Sequence, residues 1–128
     1  MKSIYSLAAA PALMAAIAVF AVPSGAQSTP AGAQVFGMCT ACHTVTKGGR
    51  NGIGPNLSGL IGRRAGSVPG FSYSAAMKGS GLTWDAKTLD AFLAAPTKKV
   101  PGTKMPISVS DPAKRAAIIA YLTTATAK

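Results

Sequence analysis

Both cysteines and the only histidine of this chain fall within five residues, Cys39-Thr40-Ala41-Cys42-His43. C-x-x-C-H is the attachment motif of a c-type haem. On one helical turn, two thiols three positions apart reach the two vinyl groups of one porphyrin. The adjoining imidazole faces the iron from the same side. A redox dithiol needs a βαβ setting, and a zinc site needs four ligands. No other Cys or His remains to complete a metal cage. The motif therefore commits the rest of the chain to folding around one large, flat, apolar body.

The N-terminus reads as an export signal. Lys2 is a short positive segment, Leu7 to Val22 is apolar and Ala-rich with one break at Pro11, and Ser24-Gly25-Ala26 supplies small residues that a signal peptidase accepts. Residues 1–26 are expected to be a signal peptide cleaved after Ala26, and 27–128 a single domain. The apolar run is shorter than the ~20 residues that span a membrane comfortably. That disfavours the alternative, a tethered carrier that keeps its leader. Part of the positive mean hydropathy, +0.31, belongs to this segment. Export agrees with the motif, because reduced thiols have to meet haem outside the cytoplasm, where cysteines otherwise oxidise. The expected location is the periplasm.

The chain has 13 basic residues against three acids, a formal charge of +10. All the basic residues but Lys2 lie beyond the leader, with Asp85, Asp90 and Asp111 as the acids. Such a field implies an acidic partner surface. Nucleic acid is the weakest candidate partner, since no nucleic-acid-binding motif is present and export removes the chain from DNA.

Helical spacing of Val35, Phe36, Cys39 and His43 predicts a first helix over Gly32 to His43. Lys47 to Gly70 holds eight glycines and reads as looped backbone. A short helix is expected around Ser74 to Lys78. Another is expected from Thr83 as cap to Ala95, stopped by Pro96, with Leu89, Phe92 and Leu93 facing inward. Asp111-Pro112 opens a last helix that runs to about Ala125. No strand alternation is evident, so the expected class is all-α, with about four helices and Gly-rich loops. So much loop leaves a domain of this size a marginal core of its own, and a covalent haem completes it.

With one histidine, a second axial ligand has to be something else. Met1 and Met14 belong to the leader, and Met38 precedes Cys39 on the wrong side. Met77 lies in a short helix, where a methionine is more often core. Met105 sits in Pro101-Gly102-Thr103-Lys104-Met105-Pro106, an extended loop that can present a thioether. His43 and Met105 are the expected iron ligands. A thioether favours Fe(II) and raises the potential, and two filled axial positions leave no open site for a substrate.

From Gly32 onward the chain resembles class I cytochrome c, the mitochondrial protein and its bacterial periplasmic counterparts. The resemblance is carried in order by Cys39 to Val45, Lys47-Gly48-Gly49, Gly54-Pro55-Asn56-Leu57, Pro69-Gly70-Phe71-Ser72-Tyr73, Leu82-Thr83-Trp84 and Pro101 to Met105. It implies the small cytochrome c fold around one covalent haem c. The Pro55 carbonyl is expected to accept the Nδ1 proton of His43, and Asn56 to order backbone near the haem. Tyr73, Trp84 and Thr103 are expected to bond the haem propionates, with Arg63 offsetting their charge. Gly32 and Phe36 are expected to meet Ile118 and Tyr121 where the terminal helices cross. The chain departs from the family pattern at Phe92, where the family usually has Tyr, at Ile107, where it has an aromatic, and at Met38, where it has Lys.

The expected function is that of a soluble monomeric carrier, not an enzyme, moving single electrons by outer-sphere transfer. The resemblance implies a cytochrome bc complex as donor and a cytochrome c oxidase or photosynthetic reaction centre as acceptor, both through acidic docking surfaces. A haem peroxidase or ligand sensor that releases Met105 is the alternative, and the absence of a distal His, Arg or Glu beside Met105 argues against it.

Overall fold

The computed structural model describes residues 30–126; the expected signal peptide lies outside them. Five α-helices occur among the described residues: α1 (Pro30–Phe36), α2 (Ala75–Lys78), α3 (Ala86–Ala94), α4 (Pro96–Lys99) and α5 (Pro112–Ala125). A 3₁₀ turn, Gly37–Cys39, continues α1. No strand is formed among the described residues, only an isolated antiparallel bridge between Arg64 and Thr83. No helix among them is long and apolar enough to cross a membrane. The all-α class therefore stands, with one helix more than expected.

The terminal helices set the frame. α1 packs across α5, and α5 also packs on α3. The α1–α5 crossing depends on a missing side chain. A Cβ at Gly32 would stand 2.8 Å from the Ala117 carbonyl oxygen and 3.0 Å from Tyr121 Cβ, so only glycine lets the backbones approach this closely. Phe36 then stacks on Tyr121 with ring centroids 5.0 Å apart, and Ile118 is the most completely buried large side chain. The core also holds Leu60, Met77, Trp84, Leu89, Phe92, Leu93, Val100, Val109 and Leu122.

Two boundaries differ from the sequence expectation and two agree with it. The first helix ends at Phe36 and tightens into the 3₁₀ turn, so the attachment motif lies on the turn that follows α1 rather than within it. Asp85, not Thr83, caps α3: its carboxylate accepts from the Thr88 N–H at 2.7 Å. Thr83 is engaged opposite Arg64 instead. Pro96 does end α3, because the residue before proline is pushed out of the helical region, and Ala95 is non-helical at φ −155°, ψ 80°. Pro96 then serves as first residue of α4, a position that suits a residue without an N–H. Asp111 caps α5 as expected, accepting from Ala113 N–H at 2.8 Å with Pro112 in the first turn.

Candidate haem site

The attachment turn is held by its own backbone. The N–H groups of Cys42 and His43 both donate to the Cys39 carbonyl, at 3.1 and 3.0 Å. Both thiols are free and half-buried. Burial, and then the nearby Cys42, push the Cys39 thiol above its ordinary range. The loop after the turn folds back along it: Gly54 N–H donates to the Cys42 carbonyl at 2.9 Å and Leu57 N–H to the Thr44 carbonyl at 2.8 Å. Gly54 is there because a Cβ would collide with the His43 ring.

His43 is oriented by Pro55, whose carbonyl lies 2.7 Å from Nδ1. A carbonyl can only accept, so Nδ1 carries the proton and Nε2 keeps its lone pair. Burial lowers the imidazole's proton affinity, the Pro55 bond opposes this, and the Arg63 charge adds to the lowering. The ring is thus held neutral, the form a metal binds.

Asn56 is buried and fully engaged. Its Nδ2 donates to Thr44 Oγ1 at 2.7 Å and to the Thr46 carbonyl at 3.0 Å, and its Oδ1 accepts from Ser58 N–H at 2.9 Å. Its own N–H donates to Asn51 Oδ1 at 2.8 Å. Asn56 therefore fastens the loop over residues 44–58 to itself. Arg63 joins the same loop, donating Nη1 to the Ser58 carbonyl at 2.8 Å and Nη2 to the Asn56 carbonyl at 3.1 Å.

Three donors in this region are left over. Arg63 Nε is buried with no partner, a costly state for part of a cation. The Tyr73 hydroxyl accepts from Val68 N–H at 3.1 Å, which leaves its proton to give. The Trp84 ring is buried 5.1 Å from Phe92. Its indole N–H has no protein partner among the described residues but is not one of the buried orphaned atoms, of which Arg63 Nε is the one there. An anionic group bearing carboxylates satisfies such a set. The residues present therefore fit a haem: two reduced thiols and a neutral imidazole on one turn, and unspent donors for propionates.

Met105 is half-buried against the core, its N–H bonded to Thr103 Oγ1 at 3.3 Å. Thr103 Oγ1 accepts in this bond and keeps its own proton to give. Lys104 ties this loop to the Tyr73 segment through the Ser72 carbonyl at 3.2 Å. Met77 is core in α2, packed below the Ser74 cap. An open cleft of about 430 Å³ is lined by Lys47, Ser58, Gly59 and Arg63; it shares Arg63 with this region and reaches neither His43 nor Met105. Sequence reasoning missed Asn51 as a partner of Asn56. The Asn-Gly pair at 51–52 marks a turn but not the segment it bonds.

The sequence pattern of the Cytochrome c family matches residues 30–126. The chain is 50% identical over 93 residues to cytochrome c2 of Rhodoblastus acidophilus, a match spanning 72% of this chain and 87% of that protein. It is 45% identical over 115 residues to cytochrome c2 of Rhodomicrobium vannielii, spanning 88% and 92%. Among solved structures it is similar to cytochrome cH from Methylobacterium extorquens, with TM-score 0.68 and 51% identity over 73% of this chain and 95% of that one.

Proposed function

Because the chain belongs to the cytochrome c family and is a haem c electron carrier rather than an enzyme, we propose that Cys39 and Cys42 hold the haem and that His43 and Met105 are its axial ligands. When bound, the haem iron supplies reversible one-electron chemistry between Fe(III) and Fe(II). The residues have the task of holding ligands and excluding water. His43 keeps Nε2 available because Pro55 holds the proton on Nδ1. Arg63, Tyr73, Trp84 and Thr103 offer their unspent donors to the propionates, and Thr103 also braces the Met105 loop by accepting from the Met105 N–H. Asn56 keeps Pro55 in register with His43.

The observation that carries this reading is the 2.7 Å contact between Pro55 oxygen and His43 Nδ1 inside a C-x-x-C-H turn. It fixes the tautomer that ligation requires. In this reading the mature protein, 27–128, works in the periplasm after loss of its 1–26 leader. It takes electrons as a monomer from a cytochrome bc complex and passes them to a cytochrome c oxidase or photosynthetic reaction centre. The basic surface steers it to acidic docking sites.

Two measurements test the assignment. Acid-acetone extraction of the denatured protein leaves the haem with the polypeptide if the bonds are covalent; haem in the organic phase refutes them. The near-infrared band of sulfur bound to Fe(III) is lost in Met105→Ala and kept in Met77→Ala. The opposite pattern moves the ligand to Met77.

A further inference from the structure

The Pro55–Asn56 peptide group is bonded at both ends. Its carbonyl accepts from His43 Nδ1 at 2.7 Å, and its N–H donates to Asn51 Oδ1 at 2.8 Å. The side-chain amide of Asn51 has one orientation that satisfies its surroundings, since Nδ2 also donates to the Pro69 carbonyl at 3.3 Å. Asn51, the peptide and His43 thus form a chain of hydrogen bonds running through a single amide.

Such bonds reinforce each other. An acceptor at the N–H pushes electron density toward the carbonyl oxygen, and each link strengthens the next by about 10–30% in condensed-phase estimates. A stronger acceptor at Nδ1–H gives the ring more imidazolate character and makes Nε2 a better donor to the oxidised metal. Resting on the His43 ligation proposed above, we infer that Asn51 is a positioning residue of the redox site, acting through the Pro55–Asn56 peptide to set the donor strength of His43. Its second bond, to Pro69, is a mechanical brace between two loops. The two roles can be separated.

Asn51→Ala removes both bonds. Asn51→Asp keeps an acceptor for the Asn56 N–H, a charged and stronger one, and removes only the donor to Pro69. The readouts are the His43 Nδ1–H resonance in ¹H–¹⁵N NMR of the reduced holoprotein and the reduction potential. The relay shifts the resonance downfield and lowers the potential in Asn51→Asp, and shifts it upfield and raises the potential in Asn51→Ala. A mere brace moves both variants the same way, or neither, and that overturns the inference. A lowered potential in Asn51→Asp with an unmoved resonance reports only the field of the new charge, and also overturns it. If Asn51→Ala does not fold, titrating the introduced carboxyl in Asn51→Asp makes the same comparison. Protonation has to return the resonance upfield, and a resonance that ignores it refutes the relay. Absence of a haem-shifted Nδ1–H signal in the wild-type protein refutes the ligation itself; a wild-type signal that the variants do not move refutes the relay alone.

Discussion

Arg115 donates Nε to Asp90 at 2.7 Å and so joins α5 to α3. The same guanidinium reaches the Val109 and Ser110 carbonyls from Nη1, at 3.0 and 2.8 Å. Val109 N–H in turn donates to the Leu93 carbonyl at 2.8 Å. The strand of chain that leaves the Met105 loop is therefore fixed at Val109 from both sides.

The two partners are unequal. The Arg115 side chain is 13% exposed and that of Asp90 49%. Asp90→Ala removes a half-solvated charge and is expected to cost about 1 kcal/mol. Arg115→Ala removes three hydrogen bonds and the stem that packs beneath them, at about 2–3 kcal/mol. Urea unfolding of the two holoprotein variants checks the order. Equal losses would show that the carbonyl contacts contribute nothing beyond the ion pair.

Gly32 and Gly37 invite the same substitution with opposite results. Alanine in a helix is favoured over glycine by about 1 kcal/mol. At Gly37 a Cβ meets nothing within 4 Å, so Gly37→Ala is expected to stabilise by about 0.5 kcal/mol. At Gly32 the added carbon meets the Ala117 carbonyl at 2.8 Å, a backbone atom that cannot step aside. Overpacking of this kind costs about 1–3 kcal/mol, so Gly32→Ala lowers the melting temperature and Gly32→Val lowers it further. A stabilised Gly32→Ala would mean that the helices can separate at no cost.

These examples show which features can be read from the chain alone. Asp111-Pro112 announces α5 because cap and first-turn proline are neighbours in sequence, and the structure places both there. Cys39, Cys42 and His43 are legible as a candidate site for the same reason. The cap of α3 is not, because Thr83 and Asp85 are both good caps. The choice is made by the Arg64 segment lying against Thr83. Asn51 with Asn56 and Pro69, and Asp90 with Arg115, are invisible for a related reason. These contacts join polar groups, two of them across 18 and 25 residues, and neither helical nor strand periodicity reports polar partners.

Asp85 gives the fold one acid-sensitive point. Its carboxylate is held below the usual range chiefly by the Thr88 N–H, with further help from the Thr88 side chain and Lys87. The folded pKa is depressed, so the cap's contribution is complete above the unfolded carboxylate value and is lost as pH falls through the folded one. Asp85→Asn keeps an accepting oxygen without the charge. Its melting temperature is expected to lie below wild type at neutral pH and to converge on it as the pH approaches the folded value. A gap that persists in acid would show that the charge of Asp85 is not what the cap uses.

Electron delivery is expected to depend on salt, and the surface says how. Lys98 and Lys99 in α4 are exposed, and Lys104 stands beside Met105 with its ammonium on the Ser72 carbonyl. With 12 basic residues against three acids beyond the leader, a formal charge of +9, encounter with an acidic partner is steered over distances that salt screens, about 10 Å at 0.1 M. The bimolecular rate with an isolated oxidase should therefore fall as ionic strength rises. Lys98→Gln combined with Lys99→Gln should flatten that fall, and Lys114→Gln at the start of α5 should change it less. A competing contribution comes from exposed apolar side chains. The exposed large apolar side chains among the described residues are Met38, Ile53 and Ile107, at 55%, 81% and 48%. Met38 precedes Cys39, Ile53 precedes the glycine that abuts His43, and Ile107 follows Met105 by two residues. Apolar contacts are not weakened by salt and act on dissociation more than on encounter. If rates are flat or rise with salt, these three side chains rather than the lysines govern the productive complex, and Ile53→Ser should then slow transfer at high ionic strength where the lysine variants do not.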